Sequence, residues 1–173
     1  MVEEIHLVPY DPSWPDKYAA ERDVVVSCLI RPPLLIAHMG STSIPGIAAK
    51  PVIDIIVLVA DLAEGHAAVP ALEATGYSFW RDNPDKSKLY LVRGLPNRTH
   101  NLHIHADAEE VRRHLLFRDH LRADPAARDA YQALKQELAI RYRTDREAYS
   151  KAKSAFVDDI VAKAGGPDRL FAW

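Results

Sequence analysis

The chain has 173 residues, of which 48% are hydrophobic and 27% charged; this composition is typical of a globular protein with one core, and we predict a single domain over residues 1–173. A formal net charge of −2 gives no overall cationic surface, which argues against nucleic acid as a partner. The longest apolar run, residues 52–60, is too short to span a bilayer, and the first residues lack the layout of a signal peptide, so we expect a cytoplasmic protein without a membrane segment.

The first third of the chain predicts a helix and two core strands. Ile5 and Leu7 alternate with polar residues, which is typical of a short edge strand. Residues 14–29 carry large apolar side chains at helical spacing and end before a run of prolines, so we predict a helix there. The apolar runs 34–39 and 52–59 predict two core strands that hold the loop between them.

The remaining chain predicts one helix, a meander and three further helices. Asp61 and Glu64 have the spacing of a capping box, so a helix is expected over about residues 62–75. Three short runs bounded by turn residues predict consecutive antiparallel strands at residues 77–81, 87–93 and 99–105. Capping signals predict the helix starts at Asp107, at Asp124 and at Thr144 with Glu147. This order favours an α+β fold with helices packed against one face of a mixed sheet.

The loop between the two core strands is a candidate phosphate site. It begins with Gly40, Ser41, Thr42 and Ser43, and such a segment offers backbone N–H groups and hydroxyls to a phosphate. The alternative is an ordinary polar turn. The segment is not a P-loop, because its glycines have the wrong spacing and Lys50 is followed by proline.

Asp54 lies inside the second apolar run, where an unpaired carboxylate is costly to bury. It is therefore a candidate catalytic or metal-binding residue. The alternative is structural: Asp54 accepts hydrogen bonds from the loop or pairs with Lys50.

The last strand of the meander carries a second polar set. Asn101, His103 and His105 share one face of a strand over residues 99–105. Two imidazoles at this spacing suit a metal shared with a carboxylate, or one imidazole serves as a base. The alternative is a solvated strand face.

Cationic residues on the late helices are candidates for neutralising an anion. Lys153 falls between Tyr149 and Phe156 on an apolar helix face, where a lysine either directs its charge to the surface or reaches the site. Arg118 and Arg122 lie one turn apart on an earlier helix, and surface solvation is their default explanation.

These residues give the chain a clear resemblance to the GrpB family over about residues 5–163. Four ordered motifs carry it, at residues 40–55, 99–104, 113–122 and 149–156. The family is placed in the nucleotidyltransferase-fold superfamily, so the resemblance implies a mixed, mostly antiparallel sheet of that type with helices packed on it and a helical C-terminal part. Some members are fused to a dephospho-CoA kinase domain, but this sequence has no kinase P-loop, and that activity is not carried over.

The resemblance also implies roles for individual residues. Gly40 and Ser41 correspond to the superfamily's phosphate-holding turn, and Asp54 falls where the first catalytic carboxylate stands. The second carboxylate is replaced by Ile56, although a two-metal site needs several oxygen ligands. His103, from the neighbouring strand, is the candidate replacement ligand.

Two hypotheses follow for the function. In the first, a nucleotidyltransferase-like enzyme holds a nucleotide or another phosphorylated ligand in the loop, where Lys50 joins residues 40–43 as a binding residue. Its divalent cation, Mg, Mn or Zn, is bound by Asp54, His103 and His105, while Lys153 and Arg118 neutralise phosphate charge; the acceptor is not identified. In the second, the domain binds a nucleotide or phosphorylated metabolite without catalysis, and the missing carboxylate at residue 56 favours this alternative.

Overall fold

The computed structural model describes residues 4–169, which form an α+β fold with one mixed sheet. The strands are β1 (Leu35–Met39), β2 (Ile53–Leu58), β3 (Tyr77–Phe79), β4 (Lys88–Arg93) and β5 (His100–His105). The helices are α1 (Trp14–Cys28), α2 (Leu62–Ala74), α3 (Ala108–Ala123), α4 (Pro125–Arg141), α5 (Arg146–Ala152) and α6 (Ser154–Lys163). The predicted single domain over residues 1–173 extends past this range at both ends and stays a prediction.

The strands are ordered β1-β2-β5-β4-β3 across the sheet. β2 and β5 are parallel, and the other three neighbouring pairs are antiparallel. The prediction of a mixed, mostly antiparallel sheet is therefore confirmed, and so is the antiparallel meander β3-β4-β5. At the outer edge of β1, the Tyr18 hydroxyl of α1 donates to the Ile36 carbonyl oxygen at 3.3 Å.

Helices cover both faces of the sheet, so the prediction that they pack against one face is wrong. On one face, Ile53 and Ile55 of β2 belong to the main core under α1 and α2. On the other face, Ile56 packs with Met39 of β1 and Val111 of α3. The physical reason is that β2 is apolar on both sides, and burying the apolar side chains of each side away from water stabilises the fold.

The helical C-terminal part forms a second core that also holds the loop between β1 and β2. Ile44 and Ile47 of this loop are fully buried against side chains of α3, α4 and α6. Phe117 of α3 and Tyr131 of α4 make an edge-to-face pair in this core, with ring centroids 5.1 Å apart. The loop is consequently fixed between the sheet and the helices.

The structure corrects two further sequence predictions. Residues 4–7 form no strand; instead, Val8 makes an isolated antiparallel bridge with Ala49. The helix predicted from Thr144 starts one residue later, because Asp145 is the cap and its side chain accepts from the Ala148 amide. That helix is also divided at Lys153, which separates α5 from α6. Within residues 4–169 no helix is both long and apolar enough to cross a membrane.

Candidate functional site

The loop after β1 begins with a turn over residues 40–43, called here the Gly40 turn. Gly40 has a φ of 70°, in the left-handed region that favours glycine. A Cβ atom at this position would overlap the carboxylate of Asp54. Glycine is thus required for two reasons, its backbone conformation and its close approach to Asp54.

The hydroxyls of the Gly40 turn are largely engaged by the protein itself. Ser43 Oγ donates to the Gly40 carbonyl oxygen at 2.5 Å, and Thr42 Oγ1 lies 2.9 Å from His38 Nε2. The Thr42 and Ser43 residues are only 1% and 3% exposed. These two side chains stabilise the turn, and their predicted phosphate contacts stay a prediction. Ser41 is less buried than these two residues. Burial raises the pKa of Tyr131 to about 12, and the nearby Ser41 side chain partly opposes this rise.

Two arginines of α3 hold the backbone on either side of the turn. Arg118 Nη1 donates to the His38 carbonyl oxygen at 2.9 Å, and Arg122 Nε donates to the Ser43 carbonyl oxygen at 2.8 Å. Arg118 Nε also donates to Asp119 at 2.7 Å. The structure therefore gives Arg118 a contact that positions the turn, and its predicted role in neutralising phosphate stays a prediction.

Asp54 is half-buried at the start of β2, beside the turn. Its Oδ1 accepts a hydrogen bond of 2.7 Å from Asn101 Nδ2, the residue opposite it on β5. Asn101 Oδ1 in turn accepts a hydrogen bond of 2.9 Å from the Tyr90 hydroxyl. Arg98 Nη1 donates a hydrogen bond of 3.0 Å to the same hydroxyl oxygen. This chain of hydrogen bonds fixes the position of the carboxylate.

Burial raises the pKa of Asp54, and the Asn101 hydrogen bond and nearby cations oppose the rise. The cations acting on the carboxylate are Lys50, Lys153 and Arg146. With Lys135 they form what is called here the cationic cluster: Lys50, Lys135, Arg146 and Lys153. The members come from the loop before β2, from α4, from the first residue of α5 and from the α5–α6 junction.

Lys153 lies over the same buried aromatic ring as Lys50. Its Nζ lies 4.2 Å from the centroid of the Tyr149 ring, and Lys50 Nζ lies 5.3 Å from the same centroid. Burial, followed by the like charges of Lys50 and Lys135, lowers the pKa of Lys153 to about 7, while Asp54 raises it. The protein thus holds several cations together at an electrostatic cost.

Lys135 of α4 binds the backbone of the loop that precedes β2. It is only 1% exposed, and its Nζ donates to the Ala48 carbonyl oxygen at 2.5 Å. Gln132 Oε1 accepts from the Ala48 amide at 2.7 Å, so α4 binds both polar groups of one loop residue. Burial lowers the pKa of Lys135 to about 7.

The two predicted histidines lie on the same sheet face as Asp54 but further along the strands. His103 is opposite Ile56, and His105 is opposite Leu58. Four residues separate the Asp54 and His105 positions, which is about 13 Å along the strands, so the three predicted ligands are not brought together. Burial lowers the pKa of both histidines, to about 4 for His105, whose ring is 6.0 Å from the His114 ring.

The groups around Asp54 do not fit a divalent cation. A two-metal phosphoryl-transfer site requires several oxygen ligands, and a nearby ammonium or guanidinium group repels a metal ion. The charged side chains acting on the Asp54 carboxylate are all cations. Residues 4–169 contain no group of three or more His, Cys, Asp or Glu side chains placed to hold a metal. The predicted cation therefore gains no support from the site.

Comparisons with known proteins identify the family. A model of the GrpB protein family matches residues 4–163. The chain belongs to the GrpB family. It is 42% identical over 166 residues to a UPF0157 protein of Pseudomonas aeruginosa, an alignment covering 94% of this chain and 68% of that protein. The crystal structure of the conserved protein GrpB from Enterococcus faecalis matches with a TM-score of 0.84 and 33% identity, covering 92% of this chain and 96% of that one.

A third relative carries an enzyme name. A dephospho-CoA kinase of Mycolicibacterium paratuberculosis is 31% identical over 186 residues, which cover 92% of this chain but 46% of the kinase. The region aligned with this chain thus makes up less than half of that protein. The predicted family membership and α+β fold of this chain are confirmed.

Sequence reasoning missed two members of the cationic cluster of this GrpB family chain. Lys135 lies four residues after Tyr131 and three before Leu138, on the buried side of α4. This is the same signal that singled out Lys153, so it was available in the sequence. Arg146 begins α5 and lies outside any apolar stripe, and only the tertiary fold brings it to Asp54.

Proposed function

We propose that this GrpB family protein binds a phosphorylated small molecule, and a nucleotide in particular, at the cationic cluster beside the Gly40 turn. One observation carries the proposal: Lys50 and Lys153 converge on the Tyr149 ring, with Nζ atoms 5.3 and 4.2 Å from its centroid, beside the Asp54 carboxylate on which they and Arg146 act. Half-buried cations gathered at one point favour additional negative charge, and a phosphate supplies it.

The electrostatics of Lys153 support an anionic ligand. Among the charges that act on it, Lys50, Lys135 and Arg146 disfavour its protonated form, and Asp54 favours it. A bound phosphate would add negative charge and favour the protonated lysine. Perturbed lysines of this kind are concentrated at functional sites.

The proposal does not extend to nucleotidyl transfer with Mg, Mn or Zn. That reaction, implied by the superfamily resemblance, uses metal-bound carboxylates, and here Ile56 occupies the second position with 0% exposure in an apolar cluster. Binding without catalysis needs only the turn and the cations. It is the function that the geometry supports best.

Thermal unfolding in the presence of ligands tests the proposal. Adenosine triphosphate or inorganic tripolyphosphate at about one hundred times its Kd should stabilise the protein by about 2.7 kcal/mol, a rise in Tm of about 5–10 °C. Adenosine, which lacks the phosphates, serves as one control, and sodium chloride at the same ionic strength serves as the other. Equal Tm values with all four additives would contradict the proposal.

A further inference from the structure

The surroundings of Asp54 differ from those of a metal ligand in two respects. One carboxylate oxygen already accepts the Asn101 amide, and the other lies against the backbone of Gly40. A metal-binding carboxylate is usually joined by other acidic or imidazole ligands, whereas this one is joined by ammonium and guanidinium groups. The site thus has cations where a metal-dependent enzyme places further ligands for a metal.

The division between α5 and α6 places one of these cations. Lys153 is the residue between the two helices: it follows the last residue of α5 and is the N-cap residue of α6. Its Nζ lies over the ring of the buried Tyr149, 4.2 Å from the centroid, and its charge acts on the Asp54 carboxylate. A lysine held over an aromatic ring keeps its charge in a defined position through a cation–π contact.

From this arrangement we infer that the site neutralises the phosphate groups of its ligand with Lys50, Arg146 and Lys153, and that it binds them without a divalent cation. The inference rests on the proposed function and adds the means of recognition. Asp54 is then the counter-ion that keeps the cations together, and it is positioned by Asn101 and by the close approach of Gly40.

Asp54 already lies beside the cations, but its carboxylate does not prevent them from binding a phosphate. Ion pairs between partly exposed groups keep much of their solvation and are exchanged for stronger partners at low cost. A phosphate carries more charge than a carboxylate and accepts more hydrogen bonds. The phosphate of the ligand therefore competes with Asp54 for the cations. A metal ion would instead compete with these cations for the Asp54 carboxylate.

Calorimetry with tripolyphosphate in excess EDTA tests the inference on the wild-type protein. Binding in EDTA supports it. Binding that appears only after EDTA is replaced by Mn²⁺ would overturn the inference and leave the proposed function standing. Binding under neither condition would remove the proposed function, and the inference with it. A titration with Mn²⁺ alone should show no saturable site, and a site that Asp54→Asn abolishes would also overturn the inference.

Variants of Lys153 test its part in the site, again in EDTA. Lys153→Met should weaken tripolyphosphate binding by about 10- to 100-fold, because a charge-assisted hydrogen bond is lost. Lys153→Arg should restore most of the affinity. The matched control is Lys163→Met on α6, where Lys163 is exposed and pairs with Asp159, and it should bind as the wild type does. Equal affinity in the folded Lys153→Met variant and the control would refute the role of Lys153.

Discussion

The Asp54→Asn variant separates a metal ligand from a counter-ion, because the two roles predict opposite changes in anion affinity. Asparagine has nearly the size of aspartate, and its side-chain oxygen can still accept the hydrogen bond from Asn101. The substitution therefore removes the negative charge and leaves the local packing in place. If Asp54 holds a catalytic cation, phosphate binding is lost; if it is a counter-ion, phosphate binding becomes tighter.

The expected gain follows from the charge that is removed. At an effective dielectric constant of about 20, two like charges about 7 Å apart repel each other by about 2 kcal/mol. This energy equals a factor of about 30 in affinity, which screening at ordinary salt concentrations reduces to about tenfold. We therefore expect Asp54→Asn to bind tripolyphosphate about tenfold more tightly than the wild type.

Calorimetry in EDTA at constant ionic strength measures this gain. The pH should be well below 7, so that Lys153 is protonated in both proteins, because loss of Asp54 lowers the pKa of Lys153 further. Asp129→Asn is the control, since Asp129 is an exposed residue of α4 and its change should leave affinity as it is. A folded Asp54→Asn variant that binds tripolyphosphate more weakly than the control would refute the counter-ion role.

Of four other predictions, two concern pH, one the turn and one the core. Affinity for sulfate, whose charge is constant in this range, should fall as pH rises through about 7, where Lys153 loses its proton; a flat profile in calorimetry would contradict this. The folded pKa of Lys153 lies below the ordinary 10.5, so the unfolded chain binds more protons between pH 7 and 10.5, and urea unfolding should show stability rising over that window. Gly40→Ala should lower the free energy of unfolding by about 2–4 kcal/mol, through its positive φ and its clash with Asp54, and unchanged urea unfolding would argue against both. Ile56→Asp should cost about 4 kcal/mol or more by burying a charge in the apolar cluster, and a folded variant that gains Mn²⁺ affinity would show that residue 56 faces the site.

Much of the sheet could be predicted because its signals are local. The continuous apolar character of β2 identified an interior strand, and turn residues separated β3, β4 and β5. Asp61 was correctly predicted as the cap of α2, and its side chain accepts from the Glu64 amide at 3.0 Å. Local sequence did not determine which faces the helices cover, since that depends on how the chain crosses the sheet.

The candidate site was predicted less completely, because its charges come from distant segments. Asp54 stood out as a carboxylate in an apolar strand, and Lys153 as a lysine on an apolar helix face. The placement of Arg118 and Arg122 against backbone carbonyl oxygens depends on contacts across about eighty residues of chain, at separations of 80 and 79. No local pattern distinguishes such an arginine from a solvated one.

The contacts along β1 also bear on how the protein behaves at high concentration. An outer strand with a free row of carbonyl oxygens and amides can pair with a strand of another molecule, which leads to aggregation. Here the hydroxyl of Tyr18 occupies the Ile36 carbonyl oxygen, and the guanidinium group of Arg118 occupies that of His38, so two alternate acceptors are already used. Side chains of α1 and α3 thus occupy acceptors that another strand would need, and Arg118 disfavours such pairing while it holds the turn in place.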